Sequence, residues 1–279
     1  MKILENGTFT GERALFKSRD LVINNSTFKD GESPLKESKN VVINNSSFEW
    51  KYPLWYGENF EVNNSTFKVM SRSGIWYTKN IKLNNCLVEA PKEFRRASFI
   101  TIEDTEFLDA EETLWSCDHI NMKNVKAKGD YLLKDSSDVV IENLTLDGNY
   151  ILDGGKNIVV KNSILNSKDS FWNCENVEVY DSVIRGEYFG WNSKNVKLVN
   201  CTIESEQGFC YMENLVMENC KLENTNLAFE YSTINCEINS RIDSVKNIIS
   251  GRLVCEGIDE LIMDKNEIDP SKTEIIIKG

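Results

Sequence analysis

Histidine occurs once in these 279 residues, proline four times, and no apolar run is long enough to cross a bilayer. With His119 as the lone imidazole and no Cys-x-x-Cys pair among eight cysteines, nothing reads as a metal site, and no cofactor is expected. So little proline, with no Gly/Ser tract, leaves no linker, and residues 1–279 are expected to form one domain. Basic residues are also in short supply: 32 against 44 acidic ones give a net charge of −12 and a pI near 4.8. An acidic surface repels phosphate backbones, which argues against nucleic acid, and the one basic cluster, Lys92, Arg95 and Arg96, reads as a solvated edge. No membrane partner is expected. The first repeat fragment, ILENGTF, begins at Ile3 and leaves no room for a secretory signal. Together with unpaired cysteines this predicts a reducing cytoplasm.

What the chain does contain is a ruler. Asn6, Asn25, Asn45, Asn64, Asn85, Asp104, Asn124, Asn143, Asn162, Asp181, Asn200 and Asn219 recur at gaps of 19 to 21 residues. Recurrence of this kind marks a repeat architecture. Four and two residues before the bend Asn the chain is apolar, as in Leu21 and Ile23, Val41 and Ile43, Ile81 and Leu83. One and three residues after it come a small residue and an apolar one, such as Ser46 and Phe48 or Cys86 and Val88. Period-two alternation broken at a polar bend predicts two short strands per repeat. Ten residues before the bend a third apolar column runs through Leu15, Leu35, Leu54, Ile75, Phe94, Leu114, Leu133, Leu152, Phe171, Phe209 and Phe229, predicting a third strand.

Three short strands per repeat describe a triangular coil. The fold predicted is all-β, a right-handed single-stranded parallel β-helix of about twelve coils, on the order of 55 Å long at the usual strand spacing. Regular coils are expected over 1–231, and irregular coils with a cap over 232–279. A second polar column, including Asp20, Asn40, Asn59, Asn80, His119, Asn157, Asn176, Asn195 and Asn214, precedes the bend by five residues. Both Asn columns read as buried or half-buried corner ladders, because amides donate and accept and Asn tolerates left-handed angles. Cys86, Cys201 and Cys220 stand where other repeats carry Ser, and read as small core fillers.

The chain resembles the right-handed parallel β-helices of the pectin-lyase-like superfamily. Stretches such as GERALFKS (from Gly11), GESPLKES (from Gly31), GIWYT (from Gly74), SKDSFWNCENV (from Ser167) and GEYFGWNSKN (from Gly186) are similar to a bacterial family known as a domain of unknown function (3737). That resemblance covers nearly the whole chain and implies the fold, but no mechanism. The superfamily's polygalacturonase-type Asp-Asp and His-Gly patterns are absent.

The functional signal sits beside the third apolar column. Nine residues before the bend stand Trp55, Trp76, Arg95, Trp115, Lys134, Asp153, Trp172 and Trp191, five of the six tryptophans in the chain among them. The neighbour of an inward column points outward on a strand, so these side chains, with Tyr56, Tyr77 and Arg96 one residue further on, are expected to form an exposed stripe. An aromatic stripe carrying guanidiniums and carboxylates suits an oligo- or polysaccharide, and from Trp55 to Trp191 it would run about 34 Å. Lys134, Asp135 and Asp153 are the catalytic candidates. Two carboxylates roughly 5 to 8 Å apart would serve a glycoside hydrolase, and a lysine or arginine base would serve a polysaccharide lyase. A structural salt bridge competes with both readings. The alternative function is a non-catalytic scaffold or homodimer joined through the tryptophan face, or through the open first coil around Ile3, Leu4 and Phe9.

Overall fold

In a computed structural model, which describes residues 1–278, the chain folds as an all-β parallel solenoid of about 15 turns. Among the described residues there is no α-helix. The chain divides into two compact units, Met1–Val140 and Ile141–Gly279.

In most coils of the first unit a six-residue strand and a two-residue strand lie on either side of the bend Asn: Arg19–Asn24 with Thr27–Phe28, Lys39–Asn44 with Ser47–Phe48, Glu58–Asn63 with Thr66–Phe67. Pairing is parallel and in register with the repeat, so that Leu21 lies beside Val41, Val41 beside Phe60 and Phe60 beside Ile81. Apolar positions therefore stack on their own kind. Phe9, Phe28, Phe48 and Phe67 form one core column with ring centroids 4.8 to 4.9 Å apart. The coil between Asn64 and Asn85 is the longest, and its extra residues are taken up by the short 3-10 turn Val69–Ser71.

The second unit repeats the scheme with Lys156–Lys161, Glu175–Tyr180 and Lys194–Val199, aligning Ile158, Val177, Val196 and Leu215. Beyond Ser232 the 19-residue spacing is lost, yet parallel pairing continues through Thr233–Ile238, Ser250–Cys255 and Thr273–Ile277. These coils account for the excess over the twelve that the bend residues mark.

The corners explain the polar columns. Asn25, Asn40 and Asn45 have φ of 50°, 55° and 49°, and Asn176 and Asn195 have φ of 59° and 52°. Asn pays least among side-chain-bearing residues for the left-handed region. In the companion column the amide donates to the side chain a coil earlier, as in Asn59 Nδ2 to Asn40 Oδ1 at 2.8 Å and Asn195 Nδ2 to Asn176 Oδ1 at 3.0 Å. The ladders are mostly solvent-exposed rather than buried, their amides bonding to one another along the outside of the corners.

The third side of each coil is a run of turns. Phe94, Leu114 and Phe171 have φ of 57°, 59° and 57°, so from Phe94 onward the apolar column reaches the core from left-handed residues rather than from a strand pleat. Backbone bonds still join coil to coil, as in Leu54 N to Gly74 O and Tyr56 N to Trp76 O. All eight cysteines are free and buried. Burial pushes the Cys117 and Cys174 thiols up to about 12, so they remain neutral fillers at ordinary pH.

Candidate functional site: the outward aromatic column

A left-handed residue follows each aromatic of the third wall, Tyr56 after Trp55, Tyr77 after Trp76, Ser116 after Trp115, Asn173 after Trp172 and Asn192 after Trp191. Trp55, Trp76, Arg95, Trp115, Trp172 and Trp191 are all half-buried with an edge to solvent, while the apolar column beside them is buried. The indole N–H is held by the backbone of the next coil in four cases: Trp55 to Ser73 O at 2.5 Å, Trp76 to Lys92 O at 2.9 Å, Trp115 to Tyr131 O at 2.6 Å and Trp172 to Tyr188 O at 2.7 Å.

In the first unit the column is a closed stack. Trp55 and Trp76 lie 5.4 Å apart with planes 9° from parallel. Arg95 is slotted between two indoles, its Cζ 4.6 Å from the Trp76 centroid and 4.7 Å from that of Trp115. Arg95 Nη2 meets Glu112 Oε2 at 3.2 Å, and Lys92 Nζ meets the same oxygen at 3.2 Å. The guanidinium is thus spent on indole faces and one carboxylate. Tyr56 and Tyr77 form a parallel pair 4.7 Å apart on the adjoining corner, and Arg96 stands exposed on the corner of its own coil with φ of 49°. Lys134 belongs to this unit, with Nζ 5.6 Å from the Tyr131 ring, and Asp135 is an exposed corner residue.

Beneath the stack lies Glu93, fully buried between Gly74 and Thr113. Gly74 N donates to Glu93 Oε2 at 2.8 Å, Oε1 has no partner, and a Cβ on Gly74 would come within 2.5 Å of the carboxyl. Burial holds this carboxyl well above its ordinary range, favouring the protonated form.

In the second unit the column is splayed. Trp172 and Trp191 lie 6.0 Å apart and 35° out of parallel, and Trp191 and Tyr211 lie 4.9 Å apart at 46°. The next column position is Cys210, too small to cover Trp191, and Tyr211 comes over from the adjoining corner instead. A shallow cleft of about 370 Å³ opens there, lined by Trp172, Asn173, Trp191, Asn192 and Tyr211. Its floor carries an amide chain: Asn192 Nδ2 donates to Asn173 Oδ1 at 2.9 Å, and Asn173 Nδ2 to Asp153 Oδ1 at 3.1 Å. Asp153 is therefore the acceptor that orients the chain.

The tyrosine run ends at a C-terminal loop. Tyr231 Oη and Asn247 Nδ2 both donate to Glu267 Oε2 at 2.5 Å, and Glu267 raises the Tyr231 phenol above its ordinary value. Within the same unit Asp169 is buried and its carboxyl is raised by that burial, against the Tyr150 hydroxyl that lowers it.

Larger grooves lie beside the Asn ladders, one of about 500 Å³ along Asn40, Asn59 and Asn80 and one of about 510 Å³ along Asn157, Asn176 and Asn195. They offer no aromatic column, and their amides bond chiefly to one another. Among the described residues no three His, Cys, Asp or Glu side chains converge to hold a metal ion. His119 pairs with Asp118 at 2.6 Å and stacks on Phe99, as a corner residue would.

Sequence reasoning named Trp172 and Trp191 but left Asn173, Asn192 and Tyr211 off the binding set. The signal for them was present, since they occupy the corner column that also holds Tyr56 and Tyr77.

No curated protein matches the chain. Among solved structures it is similar to PfbA, a surface adhesin of Streptococcus pneumoniae, at 9% identity and a TM-score of 0.50, covering 92% of this chain and 82% of that one. It is also similar to the tailspike protein of E. coli bacteriophage HK620 in complex with hexasaccharide, at 10% identity and a TM-score of 0.46, covering 90% of this chain and 65% of that one. At these identities the likeness concerns the β-helix fold. A family model described as protein of unknown function (DUF3737) matches residues 2–276.

Proposed function

We propose, for a chain that belongs to the DUF3737 family, that the outward aromatic column binds carbohydrate and that the splayed cleft between Trp172 and Tyr211 is its main contact. The observation that carries this reading is the cleft itself. Flat apolar faces beside amide groups match the two chemistries of a sugar ring, a C–H face and a rim of hydroxyls, and large half-exposed aromatics in a row favour a partner. The closed stack of Trp55, Trp76, Arg95 and Trp115, with Tyr56, Tyr77 and Arg96, offers ring edges and one free guanidinium, and acts as the secondary part of the surface. Asp153 orients the amides, and Lys134 and Asp135 flank the column in the first unit. Eight free thiols accord with work in a reducing compartment such as the cytoplasm.

A glycan array probed with wild type and Trp172→Ala tests the reading. Wild type is expected to retain a defined set of glycans that the variant loses. A wild-type protein silent across the array, or a variant with an unchanged profile, would reject it.

A further inference from the structure

The cleft differs from the rest of the column in one respect beyond its tilt: Trp191 keeps its N–H. The other four indoles each donate to a carbonyl of the following coil, sixteen residues on for Trp76, Trp115 and Trp172. For Trp191 the equivalent acceptor is Gln207 O, and the Cys210 thiol has taken it at 3.3 Å. Cys210 is buried, its small side chain standing at a position that in most other coils carries an aromatic or charged residue. Among the described residues Trp191 Nε1 has no partner, so a donor stands at the wall of the cleft.

Two further groups there are unengaged. Asn192 heads the amide chain, giving its Nδ2 to Asn173 and receiving nothing at Oδ1. The Tyr211 hydroxyl bonds to no other described residue, and Tyr211 is 44% exposed. The cleft thus presents one fixed N–H donor, one fixed amide acceptor and one hydroxyl able to do either, all around aromatic faces. No cation lines it, and the nearest charge on its amide chain is the Asp153 carboxylate.

We infer that this cleft is a subsite for a single uncharged pyranose, with a hydroxyl oxygen accepting from Trp191 Nε1, a hydroxyl donating to Asn192 Oδ1, and the ring lying on Trp172, Trp191 and Tyr211. The inference rests on the carbohydrate reading above and narrows it to neutral sugars. A uronate carboxylate in the same place would face Asn192 Oδ1 and the Asp153 end of the chain with no positive partner, which costs affinity.

The test is calorimetric titration of the full chain with maltohexaose, cellohexaose and mannohexaose as neutral probes and hexagalacturonate as the anionic one. Wild type is compared with Trp191→Phe, which keeps a ring and removes the donor, and with Asn192→Leu, which removes the acceptor. The fold of each variant is checked by its thermal unfolding. At least one neutral probe is expected to bind, each variant to weaken it roughly three- to tenfold, and hexagalacturonate to bind more weakly than the neutral probe. Neutral binding unchanged in both variants would remove the subsite while leaving carbohydrate binding elsewhere on the column intact. Tighter binding of hexagalacturonate would overturn the neutral class. Failure of all four probes to bind would overturn the carbohydrate reading and this inference with it.

Discussion

The closed stack of the first unit and the splayed stack of the second are built from the same column, with the same outward direction and the same left-handed corners, yet only one leaves ring faces for a partner. What differs is the residue that neighbours the indoles in the column. Arg95 brings a flat cation that matches an indole face on each side, so the stack closes on itself at 4.6 and 4.7 Å. Cys210 brings almost nothing, and the ring above it tilts and retains its N–H. Aromatic residues lined up on a solenoid thus form a closed seam or an open cleft depending on what stands next to them in the column.

The largest expected effect comes from removing that wedge. Arg95→Ala deletes two cation–π contacts and a half-buried side chain, and should cost about 3 kcal/mol, read as a lower urea midpoint. Arg95→Lys should recover only part of this, because an ammonium has no flat face to offer two indoles. An unchanged midpoint in Arg95→Ala would erase the distinction between the two stacks.

A second contrast lies just inside the column, where the first unit buries Glu93 and the second carries Ser170 and Phe189 at the matching place. The Glu93 carboxyl is raised in the folded chain above its ordinary value of 4.5, so the native state holds that proton more tightly than the unfolded state. Its contribution is fully present below about pH 4.5 and is lost as pH rises toward the folded-state value, at up to about 1.4 kcal/mol per pH unit. Glu93→Gln should therefore gain on wild type as pH increases from about 4 to about 8, measured as the difference between their unfolding midpoints. A difference that stays flat across that range would show the carboxyl titrating normally.

The smallest effect sharpens the comparison from the other side. Cys210→Ala releases Gln207 O, which Trp191 Nε1 can then take as its counterparts do. Binding of the neutral hexasaccharide should weaken roughly threefold with the stability of the chain little altered. Equal affinity in Cys210→Ala would mean that the thiol does not govern the indole.

Much of this was legible in the sequence because a solenoid turns sequence period into spatial column. The bend Asn marked each coil through Asn219, and on that scale Trp55, Trp76, Trp115, Trp172 and Trp191 fell into one sequence column, each of them half-buried in its own unit. Past Ser232 the marks fail because pairing there, as between Thr233–Ile238 and Ser250–Cys255, depends on backbone bonds that no bend residue announces. Period-two alternation read the third side as a strand, whereas left-handed residues such as Phe94 and Leu114 deliver the same inward column without one. Nothing in the spacing revealed that Arg95 would be consumed by its neighbours, since that depends on a side-chain conformation shared across coils. Cys210 falls by spacing in the outward column yet is buried, and its effect on Trp191 passes through a carbonyl that composition does not record.

The side-chain ladders also have a consequence for anyone who would build with these coils. The asparagine rungs donate toward the preceding coil, and four runs start on a residue that can only accept: Asp20 beneath Asn40, Asp104 beneath Asn124, Asp153 beneath Asn173, Asp181 beneath Asn200. A coil is therefore not an interchangeable brick. Moved into the middle of a run, an aspartate coil would set a carboxylate against an amide oxygen, and an asparagine coil placed first would leave its donor without a rung to meet, so grafts should be cut at the aspartates.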